Sequence, residues 1–224
     1  MTDTPQGILA LWLDLAPDGE AMVNEWFNRE HHAERVDVPG FLTARRYVAL
    51  RGQPKYFIFY RTRDLAVLTS KAYLARLNDP TPWTRETMPH FRNTSRSACR
   101  PLVCLGRGEG GIVLTLRFGT APGQDARLEA WLRGAALPAA LERPGMVSAE
   151  LWRGDPASSD VATEERRMRG APDVVADWIV VLGGNHAEQV EQAQAECLDA
   201  DALRANGGTA PDAGTYRLAF ALDG

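Results

Sequence analysis

Apolar positions along the chain follow two periodicities, and together they predict the same series of elements twice. Short runs at 8–15 and 56–60 are apolar at nearly every position, which is typical of strands buried on both faces. Longer segments in which apolar residues recur three and four positions apart predict helices that pack by one face. Each half therefore has the predicted order strand, helix, strand, strand, helix, strand.

The predicted bounds place a glycine-rich boundary between two halves of similar length. The predicted strands are 8–15, 42–50, 55–61 and 97–105 in the first half, and 112–118, 147–153, 177–182 and 215–222 in the second. The predicted helices are 18–38, 64–77, 123–141 and 186–203. Asp18 is the expected N-cap of the first helix, and Pro39 ends that helix. Glycines at 106–111 separate a first unit, 1–106, from a second unit, 107–224.

The two halves also match each other residue by residue over their first helix. Trp131 and Pro144 each lie 105 residues after Trp26 and Pro39, with no gap between them. The apolar runs that precede these segments fall into the same register. The repeat therefore covers a strand, a helix and a turn.

The repeated order is that of the ferredoxin-like arrangement, in which two helices cover one face of a four-stranded antiparallel sheet. Because the strands are apolar on both faces, the second face of each sheet also needs a cover. We therefore predict an α+β fold of two tandem ferredoxin-like halves whose antiparallel sheets pack face to face as an intramolecular α/β barrel. The charged, small-residue segment at 154–172 is predicted to be a mobile surface loop, with a lid as the alternative.

One string of residues in the first half resembles a known group of proteins. It comprises Trp26, Glu30-His31, Glu34-Arg35, Pro39-Gly40-Phe41 and Arg45-Arg46-Tyr47. This string is similar to that of a largely uncharacterised group within the dimeric α/β-barrel superfamily. The superfamily includes muconolactone isomerases, cofactor-free monooxygenases, polyketide cyclases, EthD-like proteins, haem-binding chlorite dismutases and ligand-binding regulators, so the fold alone does not choose the function.

Composition and charge narrow the classes of partner. The 224 residues are 45% hydrophobic and carry a net charge of −4 without a lysine- and arginine-rich block, so no nucleic-acid partner is expected. No apolar run approaches the roughly 20 residues needed to span a bilayer, so no membrane association is expected. The three cysteines have no metal-ligand spacing and favour a reducing, cytoplasmic compartment.

The first helix carries candidate acid–base chemistry on its apolar face. A helical wheel places Glu30 and Glu34 within the arc that should face the sheet, and His31 lies at its edge within reach of Arg35. The sister helix has only alanine at the equivalent positions, 135, 136 and 139. A proton-transfer site is one interpretation, and an ion-pair network of the two carboxylates with nearby arginines is the other. His32 is expected to be exposed.

Further candidate residues could complete a pocket near this helix. Trp83, Thr84 and His90 follow the second helix and have no counterparts in the second half. Arg46 and Tyr47 leave opposite faces of the second strand, so only one of them can point at the helices. Each of these residues could equally serve packing. The substrate-binding candidates are Trp26, Arg35, Arg46, Tyr47, Trp83, Thr84 and His90.

The resemblance implies a cofactor-independent lyase, isomerase or cyclase acting on a small aromatic or keto-acid-like molecule. In that hypothesis His31 is the general acid or base, Glu30 or Glu34 orients it, and Arg35 or Arg46 neutralises a substrate carboxylate or oxyanion. A non-catalytic binding or regulatory module and a cofactor-free monooxygenase are the alternatives. In the haem-binding members the resemblance would place the histidine that ligates the haem in the second half. The only histidine there is His186, near the start of a predicted helix, so haem is not expected. No metal and no other cofactor is expected, the second half is mainly a scaffold, and a homodimer remains open.

Overall fold

Eight antiparallel strands close into a single barrel in the computed structural model, which describes residues 6–170 and 174–224. The strands are β1 (Gly7–Leu15), β2 (Phe41–Gly52), β3 (Tyr56–Thr62), β4 (Phe91–Gly106), β5 (Ile112–Phe118), β6 (Met146–Gly154), β7 (Trp178–Gly184) and β8 (Asp212–Asp223). Their order around the barrel is β1-β3-β2-β8-β5-β7-β6-β4, and β4 pairs with β1 to close it. The predicted α+β barrel is confirmed.

Hydrogen-bonded ladders join the two halves of the chain. Strand β2 pairs with β8, and β4 pairs with β6, so the outer strands of each four-stranded sheet find partners in the other sheet. An unpaired edge strand exposes backbone donors and acceptors, and closure removes all such edges. The halves are therefore bonded edge to edge as well as packed face to face.

Aromatic side chains fill the inside of the barrel. Trp12 and Phe57 stack with ring centroids 4.7 Å apart, and Tyr47 stacks on Phe57 at 5.7 Å. Alternate residues of the same strands point outward and form two further cores under the helices, one for each half. Each strand is thus buried on both faces, which explains the nearly continuous apolar runs.

The first helix of each half contains a π-helical turn. In the first half α1 (Glu20–Trp26), the π-turn Phe27–His31 and α2 (His32–Val36) follow one another directly. In the second half α5 (Asp125–Trp131), the π-turn Leu132–Ala136 and α6 (Leu137–Leu141) do the same, 105 residues further on. The N-cap of α1 is Gly19, whereas the predicted cap, Asp18, lies 3.5 Å from His90 Nδ1.

The two other predicted helices are each divided. The segment 64–77 becomes a 3₁₀ turn (Leu65–Thr69) and α3 (Lys71–Asn78), because Ser70 accepts a hydrogen bond from Tyr73 N as a new N-cap. Helix α4 (Pro82–Thr87) and a 3₁₀ turn (Met88–His90) follow. The segment 186–203 becomes α9 (Ala187–Cys197) and α10 (Ala200–Ala205), with Asp199 as the cap of α10. Within the described ranges, no helix has the length and apolar character needed to cross a bilayer.

The connection between β6 and β7 differs from the predicted mobile loop. It contains α7 (Pro156–Ser159) and α8 (Glu164–Arg169), and the end of the predicted loop, at 171–172, lies outside the described residues. Asp155 and Thr163 cap these two helices by accepting hydrogen bonds from backbone amides. Met168 of α8 packs against the core of the first half. The prediction of a loop without its own elements was wrong, because capping and packing hold both short helices.

Candidate functional site

A small, partly enclosed cavity of about 30 Å³ lies between the outward faces of β1, β3 and β4 and the helices of the first half. That volume holds one or two water molecules. The strand wall consists of Leu9, Leu11, Ile58 and Tyr60, and the helix wall includes Phe27, His31 and Arg35. Helix α8 and the residues before it form the remaining wall. The second half, which we expected to be mainly scaffold, therefore also contributes to the pocket of the first half.

His31 is the cavity residue whose hydrogen bonding is least complete. Its side chain is 8% exposed, and its Nδ1 atom is buried without a hydrogen-bond partner among the described residues. The ring packs against Trp26, with centroids 4.1 Å apart. Burial, followed by the positive charge of Arg35, holds the pKa of His31 well below its ordinary value. The imidazole is therefore neutral near pH 7.

A second buried histidine holds the hydroxyl group of a cavity tyrosine. His32 Nδ1 lies 2.9 Å from the Tyr60 hydroxyl, and the His32 ring is stacked on Phe27 and Phe220 at centroid distances of 5.1 and 4.8 Å. Burial and then the charges of Arg46 and Arg35 lower the pKa of His32 to about 3. Burial also raises the pKa of Tyr60, so this phenol stays protonated. The expectation that His32 is exposed was wrong.

The π-turn explains why His32 and Arg35 face inward. A regular α-helix advances by 3.6 residues per turn, and an i→i+5 turn inserts about one extra residue. Residues after Phe27–His31 are therefore rotated relative to the α-helical wheel that predicted their positions. This rotation moves His32 from the predicted outer face to the sheet and also directs Arg35 inward.

Arg35 forms a buried ion pair with a residue from the other half of the chain. Its Nη2 atom donates to Glu165 Oε1, and the two side chains are only 2% and 6% exposed. Burial acts to lower the pKa of Arg35, whereas the Glu165 carboxylate acts to raise it. The net effect is a raised pKa, so the guanidinium stays charged. The Nη1 atom is buried and has no hydrogen-bond partner among the described residues.

The two predicted carboxylates lie outside the cavity wall. Glu30 accepts hydrogen bonds from the Thr81 hydroxyl at 2.6 Å and from Trp26 Nε1 at 3.2 Å, and so links the first helix to α4. Glu34 pairs with Arg76 at 3.3 Å, and burial raises the pKa of its carboxyl group. The ion-pair interpretation thus describes Glu34. Glu30 contacts the same tryptophan that backs His31, rather than His31 itself.

Several substrate-binding candidates are engaged elsewhere. Trp26 is fully buried behind His31, and its Nε1 atom also donates to the Thr84 hydroxyl at 3.2 Å. Arg46 faces the helices and donates to Asn24 and Asn28, whereas the adjacent Tyr47 points into the barrel.

The last two candidates lie at the edge of the first half. Trp83 packs at the border of its core, and His90 pairs with Asp18. Of the ten predicted site residues, only His31 and Arg35 line the cavity.

Other cavity residues were missed in the sequence. Tyr60 alternates along β3 with side chains that fill the barrel, and this alternation could have assigned it to the helix side. Arg96 lies in the part of β4 that precedes the predicted strand. Glu165 gives no local signal, because its partner is 130 residues away. Among the described residues, no three histidine, cysteine, aspartate or glutamate side chains are grouped as metal ligands.

Comparisons with known proteins identify the fold. No family model matches this sequence, and no curated protein matches it. An anthrone oxidase-like protein superposes with a TM-score of 0.65 at 15% identity, covering 99% of this chain and 94% of that one. A candidate monooxygenase from Fusobacterium nucleatum gives 0.63 at 8% identity, with 99% and 96% covered. A candidate monooxygenase from Lactobacillus acidophilus gives 0.60 at 10% identity, with 98% and 96% covered. This chain therefore shares its α+β barrel fold with these solved structures.

Proposed function

We propose that this chain is a cofactor-independent enzyme in which His31 accepts a proton from a small aromatic or keto-acid-like molecule. The observation that carries the proposal is the buried, neutral imidazole of His31, which lines the cavity and whose Nδ1 atom has no partner among the described residues. A buried polar atom without a partner costs about 1–3 kcal/mol. That cost is recovered when a substrate supplies the missing hydrogen bond.

The charges around His31 favour an anionic substrate intermediate. Arg35 disfavours the imidazolium form electrostatically, and the same positive charge stabilises an enolate or phenolate in the cavity. The substrate C–H or O–H proton passes to Nδ1, and the electron pair moves onto the substrate oxygen. The protonated Tyr60 hydroxyl lies in the strand wall of the same cavity and can donate a hydrogen bond to that oxygen when His32 Nδ1 is the donor to Tyr60. Return of the proton to another carbon completes an isomerisation.

A monooxygenase is the second candidate, and the small volume of the cavity favours it because it leaves no room for bulk water. An electron-rich anion in a cavity without bulk water reacts with O₂ instead of being reprotonated. For a substrate CH₂ group, O₂ and the two hydrogens give a carbonyl group and one water. The oxidase-like and monooxygenase descriptions of the neighbouring structures support this reaction.

Deuterium exchange into two acidic probe molecules tests the proposed proton transfer while the natural substrate is still unidentified. Phenylpyruvate and anthrone are incubated in D₂O, and NMR follows loss of the acidic C–H signal while an electrode follows O₂. We expect exchange or O₂ uptake with the wild type, and a rate at least about 10²-fold lower with His31→Gln. His186→Gln is the matched control, because His186 is exposed and distant from the cavity. Binding without exchange in either variant would favour the non-catalytic module.

A further inference from the structure

Helix α8 belongs to the second half of the chain, yet it covers the cavity of the first half. The β6–β7 connection that carries it has no counterpart between β2 and β3, where three residues join the strands. Through α8, Glu165 reaches Arg35, a residue 130 positions away. Glu165 supplies the one carboxylate among the described lining residues, and it is bonded to the buried guanidinium.

We propose that Glu165 holds the place of a ligand carboxylate, and that the cavity binds an aromatic carboxylate whose carboxyl group replaces that of Glu165 on Arg35. This inference deepens the proposed function and rests on it, since it names the substrate class of the same site. Arg35 is then the recognition residue, and His31 faces the ring or side chain of the bound acid.

The hydrogen bonding of Arg35 is incomplete in a way that fits a replaceable partner. A guanidinium group can donate two parallel hydrogen bonds to one carboxylate. Glu165 receives a bond from Nη2 only, and Nη1 remains buried without a hydrogen-bond partner among the described residues. A free carboxylate can orient itself to accept both bonds, whereas Glu165 is constrained by the backbone of α8. The ligand thus gains a bond that the internal carboxylate does not make.

The size of the cavity requires that something move before a ligand enters. A volume of about 30 Å³ cannot contain an aromatic ring. Displacement of α8 removes Glu165 and part of one wall together, and it leaves Arg35 and His31 in place on the first helix. The site enlarges where the carboxylate must bind.

Besides the packing of Met168 on the first-half core, two further polar contacts of α8 with the first half are at the surface. Glu164 N donates to Asn78 Oδ1 at 3.1 Å, and the Glu164 side chain lies 3.9 Å from Arg85, which is half exposed. Contacts of this kind contribute little to stability. The buried pair of Arg35 and Glu165 is therefore the main polar contact between α8 and the cavity, and an external carboxylate competes with that contact directly.

The remaining walls suit a planar ring. Phe27, Tyr60, Tyr73 and Phe91 line the cavity together with aliphatic side chains, and Arg96, Arg166 and Arg169 add further positive charge. Arg35 also lies over the Tyr73 ring, 5.8 Å from its centroid. An aromatic monocarboxylate matches both features, because its ring packs against these side chains while its charge pairs with the guanidinium.

Calorimetric titration of benzoate and benzamide tests the replacement. The two probes have similar shapes, and only benzoate carries the charge. We expect Glu165→Gln to bind benzoate at least tenfold more tightly than the wild type, with a clearly smaller gain for benzamide, which also needs α8 to move but cannot pair with Arg35 as an anion. Glu164→Gln is the matched control on the same helix and should behave as the wild type. Equal benzoate affinity in Glu165→Gln and wild type, or an equal gain for benzamide, overturns the proposal.

Hydrogen exchange of the wild type decides the question even if Glu165→Gln does not fold. Saturating benzoate should accelerate amide exchange in 164–169 and slow it in 27–36. Unchanged or slower exchange in α8, or no benzoate binding by any folded variant, overturns the proposal. Arg35→Gln should lose benzoate binding and retain benzamide binding.

Different results reject the proposed function and the proposed replacement of Glu165. Benzoate binding that responds to Glu165 without His31-dependent deuterium exchange supports the inference and rejects the enzyme. Exchange that depends on His31 but not on a substrate carboxylate supports the enzyme and rejects the inference.

Discussion

At the scale of single residues, the candidate site contains several buried polar atoms that lack hydrogen-bond partners among the described residues. His31 Nδ1, His32 Nε2 and Arg35 Nη1 all lack hydrogen-bond partners among the described residues, and they lie within five positions of one another. Most buried polar groups in proteins are paired, so such a concentration requires an explanation. The equivalent positions in the second half, Ala136 and Ala140, are apolar and buried, which shows that the same helix packs well without polar groups. Packing of this helix therefore does not by itself require the polar residues.

His32 makes the stability of the protein depend on pH. Its native pKa is about 3, below its ordinary value of 6.5. Above pH 6.5 the imidazole is neutral in both states and the stabilisation is complete. Below pH 6.5 the unfolded chain binds a proton that the native chain does not, so the free energy of unfolding falls by about 1.4 kcal/mol per pH unit. His31 shifts in the same direction and adds to this slope.

Urea unfolding between about pH 5 and 7.5 measures this dependence. His32→Gln should reduce the slope by about 1.4 kcal/mol per pH unit, whatever its effect on absolute stability. His186→Gln, at an exposed position, should keep the slope of the wild type. If His32→Gln retained the full slope, the buried neutral state of His32 would be disproved.

At the scale of secondary-structure elements, hydrophobic periodicity predicted the strands well and the first helix only in part. The strand predicted at 112–118 is observed as Ile112–Phe118, because apolar runs and glycine boundaries are local signals. The π-turn Phe27–His31 could not be predicted, since it depends on which backbone carbonyl each amide finds. That single irregularity accounts for the wrong orientation predicted for His32. The position of α8 depends on contacts more than 70 residues apart, which no local pattern contains.

Arg46 connects β2 to the first helix by hydrogen bonds. We therefore expect its substitution to affect stability rather than ligand affinity. Its Nη1 and Nη2 atoms donate to Asn24 and Asn28 at 2.5 and 2.6 Å, and its guanidinium lies over the Phe27 ring. Lysine lacks the planar fork with which the guanidinium group reaches two separate amide oxygens. Arg46→Lys should lower the free energy of unfolding by about 1–3 kcal/mol and leave the benzoate affinity of Glu165→Gln unchanged.

Chemical denaturation and calorimetry check both parts of this prediction. Arg63→Lys is the matched control, because the Arg63 side chain is 66% exposed and its substitution should change stability by less than about 0.5 kcal/mol. A loss of ligand affinity in Arg46→Lys without a loss of stability would instead make Arg46 a binding residue.

At the scale of the whole molecule, the sequence predicted the barrel but not the contribution of the second half to the cavity of the first half. Ferredoxin-like order and strands apolar on both faces were sufficient to predict the barrel. The contribution of the second half to the first-half cavity was not predictable, because it comes from the β6–β7 connection rather than from a repeated element. The two halves are thus joined in two ways, through the ladders β2–β8 and β4–β6 and through α8.

This double connection leads us to expect that the halves unfold as one cooperative unit. Leu116 is fully buried in the second-half core, and Leu116→Ala should cost about 2–5 kcal/mol. Native-state hydrogen exchange should show the same decrease for the most protected amides of β1 as for those of β5, because neither sheet can keep its edge strands paired alone. Leu50→Ala, at a position 47% exposed, should leave both sets unchanged. A decrease confined to β5 would instead mean that the first half, with its cavity, folds independently of the strands that close the barrel.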